Sequence, residues 1–178
     1  CIQDPLREEA ARVIAGLKQE GIRKVVMMTG DSDRTARAIA ARAGVDEYYS
    51  EVLPEDKARF VEKEKKSGRK VIMIGDGIND SPALSASDVG IAISDGAEIA
   101  REIADVTISA DSLYEIIILK QISNRLMKRI QGNYRAIVGF NAGLLALGAF
   151  GALTPAASAL LHNTSTLVIS LKSMRNLL

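Results

Sequence analysis

The 178 residues hold 23 basic and 22 acidic side chains, a formal net charge of +1 that leaves no basic footprint for a nucleic-acid partner. That average hides an asymmetry: Cys1 to Glu115 carries 16 basic and 22 acidic residues, whereas the 63 residues from Ile116 carry 7 basic and no acidic ones, the composition of a different environment. The lone Cys1 excludes an internal disulfide and a paired-cysteine metal clip, and fits a reduced, cytoplasm-facing setting.

The chain opens on "CIQDPLREEAARVI", charged and amphipathic rather than a secretory signal, and reads as a piece of something longer. Leu6, Ala10, Val13, Ile14 and Leu17 share a helical face that stops at Gly21. "KVVMMTGD" follows as an apolar strand ending in a glycine turn, then "SDRTARAIAARAG" as a Ser-capped helix stopping at Gly44. "EYYSEVLPEDK" predicts a brief strand, with Pro54 opening a charged helix up to Gly68. "KVIMIGDG" is a second buried strand. "DVGIAIS" and "DVTIS" are further short strands around a helix at "GAEIAREIA". Strands this apolar imply a parallel sheet covered by helices on both faces, with the ligand site beyond the carboxyl ends of the strands.

That rule gathers the polar residues. Thr29, Gly30 and Asp31 end one strand; Asp76, Asn79 and Asp80 follow another. Clustered carboxylates are costly without a neutralising cation, and hard oxygen ligands suit Mg²⁺ bridging to a phosphate. Thr29 and a helix N-terminus can hold phosphate oxygens, and Lys57 can supply a cation. The combination reads as a Mg²⁺-dependent phosphoryl-transfer site. "TGD" or Lys57 alone would be weak; "GDGIND" is far more specific.

Taken together, "TGD", "LPEDK" and "GDGINDSPAL" resemble the phosphorylation domain of P-type cation ATPases, of haloacid-dehalogenase-like fold. The resemblance implies Asp76 as a Mg²⁺ ligand, with Asp80 at the same metal and Asn79 ordering the site. It also implies Thr29 and Lys57 as phosphate contacts, Asp31 as a structural or phosphate-side partner, and Gly30 at the cofactor turn. The family's "DKTGT" nucleophile, nucleotide domain and "TGE" loop are absent from these residues, so the chain alone is expected to be inactive, with ATP bound mainly elsewhere.

From Ala136 to Leu171 no residue is formally charged if His162 is neutral. Residues 136–153 and 155–171, split at Thr154–Pro155, predict two short transmembrane helices in the lipid bilayer. Basic flanks place both outer ends in the cytoplasm. Residues 1–115 are thus read as the phosphorylation domain, 116–135 as a linking helix through which phosphorylation moves the ion site, and 136–178 as a membrane hairpin. His162, Ser165 and Thr166 share a helical face; Asn141 on the other helix lies at a depth similar to Thr166, with His162 roughly 6 Å deeper. Buried polar groups there mark an ion path or helix-to-helix hydrogen bonds, and imidazole favours Zn²⁺, Co²⁺ or Ni²⁺.

"NYRAIVGFN" and "HNTSTLVISLKSMRNLL" resemble the last two membrane helices of the heavy-metal subgroup, without its copper-type "MxxSS". The expectation is the C-terminal part of a plasma-membrane efflux pump for a divalent metal, Zn²⁺ or Cd²⁺ first, with Mn²⁺, Fe²⁺ and Co²⁺ open. It would work through an aspartyl phosphate, with the remaining domains and membrane helices of the same ATPase as partners. A membrane-anchored phosphatase of the same fold and a non-catalytic membrane module are the alternatives.

Overall fold

The computed structural model describes residues 9–75, 78–93, 102–108 and 112–174. The chain divides into two compact units, Cys1–Ile118 and Leu119–Leu178.

In the first unit the order is α1 (Ala10–Gln19), β1 (Val26–Met28), α2 (Asp33–Ala43), β2 (Glu47–Tyr49), α3 (Pro54–Lys66), β3 (Ile72–Gly75), a 3₁₀ turn (Ile78–Asp80), α4 (Ser81–Ala86), β4 (Val89–Ile93) and β5 (Val106–Ile108). Gly21, Gly44 and Gly68, which follow the first three helices, all take the left-handed backbone that ends a helix without a Cβ penalty. Val13 and Leu17 form the buried stripe of α1, as their spacing requires. The helix expected at "GAEIAREIA" lies mostly outside the described residues, as does Leu6.

Every strand pair is parallel, so the unit is α/β as expected. Among the described residues the strands pair in two groups: β1 with β2, and β3, β4 and β5 in that order. Cover on both faces is met only in β4, where Gly90, Ile91 and Ala92 are buried; β1 is half-buried, and Ile72 of β3 is exposed. Each strand of the β1–β2 ribbon has few neighbours, and a short ribbon leaves much of its surface open. The core joins the two sheets through side chains instead. Val61, Met73, Ala83 and Leu84 form one apolar cluster, and Met28 from the end of β1 packs on it.

A device that the strand patterns concealed recurs at the amino ends of the strands. Asp46, Asp88 and Asp105 each stand just before a strand and accept a backbone N–H from the strand alongside. The donors are Val25 at 2.7 Å, Val71 at 2.9 Å and Gly90 at 2.8 Å. Lys18 and Lys70 add their ammonium groups to Asp46 and Asp88 at 2.8 and 2.9 Å. The Lys18 hydrogen bond and the Val25 amide hold the Asp46 carboxyl below its usual range; the Val71 amide and Lys70 do the same for Asp88. A carboxyl depressed in the folded state contributes stability above its unfolded pKa of about 3.9, and that stability is lost as pH falls through the lower folded value. Thermal midpoints measured from neutral pH down into the acid range should therefore fall below about pH 4. Asp88→Asn should start from a lower midpoint and show a shallower acid slope.

In the second unit, α5 (Tyr114–Ala149) begins before the boundary, so the expected linking segment is one with the helix that follows it, and α6 (Pro155–Ser173) comes after the break. Thr154 caps α6, its hydroxyl accepting from Ala157 N–H at 3.3 Å. The two expected membrane spans need correction: among the described residues, no helix is long and apolar enough to cross a membrane. The physical reason is geometric as well as compositional. Because α5 ends at Ala149, only 14 of its residues, 136–149, lie in the uncharged stretch, roughly 21 Å of helix against about 30 Å of hydrocarbon. The middle of α6 carries five polar residues in a row, His162 to Thr166.

Candidate functional site

The carboxyl ends of β1 and β3 bring polar side chains over the shared core. After β1, Thr29 and Asp31 hold each other: the Thr29 hydroxyl donates to Asp31 Oδ2 at 2.9 Å and accepts the Asp31 N–H at 3.1 Å. The chain returns past this turn. Val52 N–H donates to the Thr29 carbonyl and Glu51 N–H to the Asp31 carbonyl, at 3.0 and 2.9 Å. Glu51 makes this possible with φ of 54°, a left-handed backbone unusual for a residue with a side chain. Three residues on, Pro54 opens α3, so the segment that braces Thr29 also launches the helix bearing Lys57.

After β3, Lys57 donates from Nζ to Asp80 Oδ1 at 2.8 Å, and only 13 % of the lysine side chain and 12 % of the aspartate side chain meet solvent. Most ion pairs among the described residues are exposed; this one is not, and a pair withdrawn from water persists only where the fold holds both partners. The fold does so by close packing. A Cβ on Gly75 would lie 2.5 Å from Asp80 Cβ and 2.8 Å from Oδ2, so glycine lets Asp80 fold back against the strand end. Next to it, Ser81 Oγ is buried with no hydrogen-bond partner among the described residues.

Of the residues singled out in the sequence, Lys57 with Asp80 and Thr29 with Asp31 thus form two pairs. Gly30 is exposed at the Thr29 turn, where an added Cβ would come no nearer than 4.0 Å to Val52 O. Asn79 is exposed in the 3₁₀ turn, and Asp76 lies outside the described residues. Ser81 and Glu51 were not singled out. The hydroxyl's burial has no periodic signal in so short a helix, and nothing in "YYSEVLP" announces a positive φ at the glutamate. The donor chemistry at the β3 end suits Mg²⁺: carboxylate oxygen is the hard ligand this ion takes, Asp80 Oδ2 is left free of Lys57, and Ser81, next in the chain, has a buried hydroxyl with no partner among the described residues.

In the second unit, His162 and Asn141 meet across the helices, Nδ1 to Oδ1 at 2.9 Å. Ser165 and Thr166 turn elsewhere. Both hydroxyls donate to the backbone carbonyl of His162, at 2.8 and 3.0 Å. Nearer the other end, the Asn133 amide donates to Ser173 Oγ at 2.6 Å and Arg129 donates to the Ser173 carbonyl at 3.0 Å.

Residues 1–88 match a haloacid dehalogenase-like hydrolase family model. A manganese-exporting P-type ATPase of Mycobacterium leprae is 41 % identical over 98 % of the chain, which spans 24 % of that relative. A probable copper-importing P-type ATPase of Enterococcus hirae is 43 % identical over 87 % of the chain and 22 % of the relative. A crystal structure of a zinc-transporting PIB-type ATPase in its E2.Pi state superposes with a TM-score of 0.89 at 32 % identity, covering 97 % of this chain and 28 % of that one. The chain therefore spans about a quarter of the length of the relatives it matches.

Proposed function

With this kinship to heavy-metal P-type ATPases as premise, we propose that the chain is the C-terminal part of an ATP-driven metal efflux pump that works through an aspartyl phosphate. The observation that carries the reading is the withdrawn Lys57–Asp80 pair at the β3 end. Lys57 is on the first turn of α3, where its ammonium and the helix N-terminus can face the same phosphate oxygens. Asp80 fixes that ammonium and keeps it from reaching out to solvent. Thr29, held ready by Asp31, exchanges its hydrogen bond to the carboxylate for one to phosphate. Asp76 and Asp80 would hold Mg²⁺, which when bound neutralises charge on the transferring phosphoryl group. Gly30 leaves its turn open to the phosphate, and Asn79, exposed in the 3₁₀ turn after β3, orders the approach. The nucleophile and most of the ATP site belong to parts of the longer protein that these residues do not include.

The helical pair is the membrane-embedded part of that pump, packed among helices of the longer protein rather than crossing as a self-sufficient hairpin. Leu145, Leu160, Leu167 and Val168 are exposed on it, more apolar surface than water favours. Polar residues in such a setting mark the ion path by default, so His162 is placed at the transported cation, with Asn141, Ser165 and Thr166 around it. The cargo is a divalent metal, Zn²⁺ or Cd²⁺ first and Mn²⁺ next. Relatives named for manganese, zinc and copper match at 41, 41 and 43 % identity, so the cargo turns on these few side chains and not on overall similarity. The cytoplasmic face of the plasma membrane is the proposed location of the first unit.

The test is ATPase activity of the full-length protein stimulated by Zn²⁺, Cd²⁺, Mn²⁺, Co²⁺ and Cu⁺ in turn, with and without His162→Ala. Stimulation by one divalent ion that falls about tenfold or more in the variant is expected, as for the loss of a metal contact. Stimulation that survives the substitution removes His162 from the ion site, and an upstream sequence without an aspartyl nucleophile removes the pump.

A further inference from the structure

We propose that Asn141 is a positioning residue: it fixes His162 in the tautomer with the proton on Nδ1 and so leaves Nε2 as the ring's free ligand nitrogen. The ligand half of this proposal rests on the ion-path reading above; the tautomer half stands on geometry alone. A neutral imidazole has one N–H and one lone pair, and its hydrogen-bond partner decides which nitrogen holds which. The partner of Nδ1 is an amide oxygen at 2.9 Å, which can only accept. Nδ1 must then donate, and the lone pair falls to Nε2.

Two further observations make the arrangement a held one. The hydroxyls of Ser165 and Thr166 donate to the His162 carbonyl, so their protons are already committed to the backbone. The helices are also tied at a second level. Asn133 and Arg129 on α5 both bond to Ser173 on α6, and the Ser173 hydroxyl donates to Ile169 O at 2.8 Å. Two cross-links at different heights oppose rotation of α6 about its own axis, which would carry His162 away from Asn141. The geometry therefore gives His162, Asn141, Ser165 and Thr166 unequal tasks. His162 offers the nitrogen, Asn141 aims it, and Ser165 and Thr166 steady the carbonyl beneath it. The ligand class that follows is a borderline divalent cation such as Zn²⁺ or Co²⁺, which takes neutral imidazole nitrogen, with its other ligands drawn from outside this chain.

His162 is the only histidine in the sequence, so a ¹⁵N-histidine label in the full chain gives one ring to read. In detergent micelles at about pH 8, above the usual histidine range, the ¹⁵N spectrum should show a protonated Nδ1 and a bare Nε2. Asn141→Asp keeps an acceptor and should preserve that tautomer; Asn141→Leu should lose it with helical circular dichroism unchanged. Zn²⁺ alone, added to the labelled chain, should perturb Nε2 while Nδ1 stays protonated, and about 10–100-fold more Zn²⁺ should be needed in Asn141→Leu. A proton on Nε2 in the unaltered chain, or the same tautomer in Asn141→Leu, overturns the positioning role. Zn²⁺ at Nδ1, or no response of either nitrogen at millimolar Zn²⁺, overturns the ligand half. A longer protein without metal-stimulated ATPase activity would instead sink the pump and leave the tautomer result standing.

Discussion

Asp80→Leu and Lys57→Met should each destabilise the chain by about 3–5 kcal/mol, because each leaves the other charge stranded where water hardly reaches. The double variant Lys57→Met with Asp80→Leu should recover much of that loss, since apolar side chains of similar bulk dispense with the desolvation of both ions. Urea midpoints of the four chains form a cycle that isolates the interaction, and additive losses would mean that the pair carries no coupling. The same variants in the longer protein separate fold from function. If the pair only holds α3 against the β3 end, the double variant restores activity along with stability. If Lys57 meets phosphate as proposed, the double variant restores stability and stays inactive, because neither methionine nor leucine can carry charge to the transferring group.

How much of this was legible in the residues depended on the range of each signal. Helix ends were clear, because Gly21, Gly44, Gly68 and Pro54 act within one or two residues of where they stand. That Thr29, Lys57 and Asp80 belong together followed from motif spacing and from the rule that strand ends gather polar groups. Which of them touch did not follow. Pairing of Lys57 with Asp80 rather than with Asp31 depends on how closely Asp80 approaches Gly75, and no periodicity records such a distance. The split between β1–β2 and β3–β4–β5 was also hidden, since an apolar strand reads the same whether its neighbour belongs to one sheet or another. The three aspartates that latch adjacent strands stood in plain sight as "VDEYY", "SDVGI" and "ADVTI", but an acid before a strand is usually just a loop residue. The first span comes out shorter than its uncharged run for a countable reason: that run continues through a helix end, and Phe150 to Leu153 add length that α5 does not have.

Gly75→Ala is the second large effect, and it probes the same site without touching a charge. Gly75 has no positive φ, so its backbone accepts alanine and the cost is steric alone. The added methyl would sit 2.5 Å from Asp80 Cβ, and that atom is rooted on the turn before α4, so it cannot swing away as a side-chain tip could. Overpacking of this kind costs about 1–3 kcal/mol. The loss grows if relief comes by drawing Asp80 off Lys57, since each ion is then buried unpaired. Gly30→Ala is the control. It makes the same change at the other strand-end turn, where the nearest atom to a new Cβ is 4.0 Å away, so its urea midpoint should move little. A crystal or solution structure of Gly75→Ala should show the Lys57–Asp80 distance lengthened, and the longer protein should lose phosphoryl transfer although every charged residue is still present. Equal midpoints for the two alanine variants would mean that Asp80 does not lie against the end of β3, and close packing at Gly75 would then no longer explain why Lys57 stays in place.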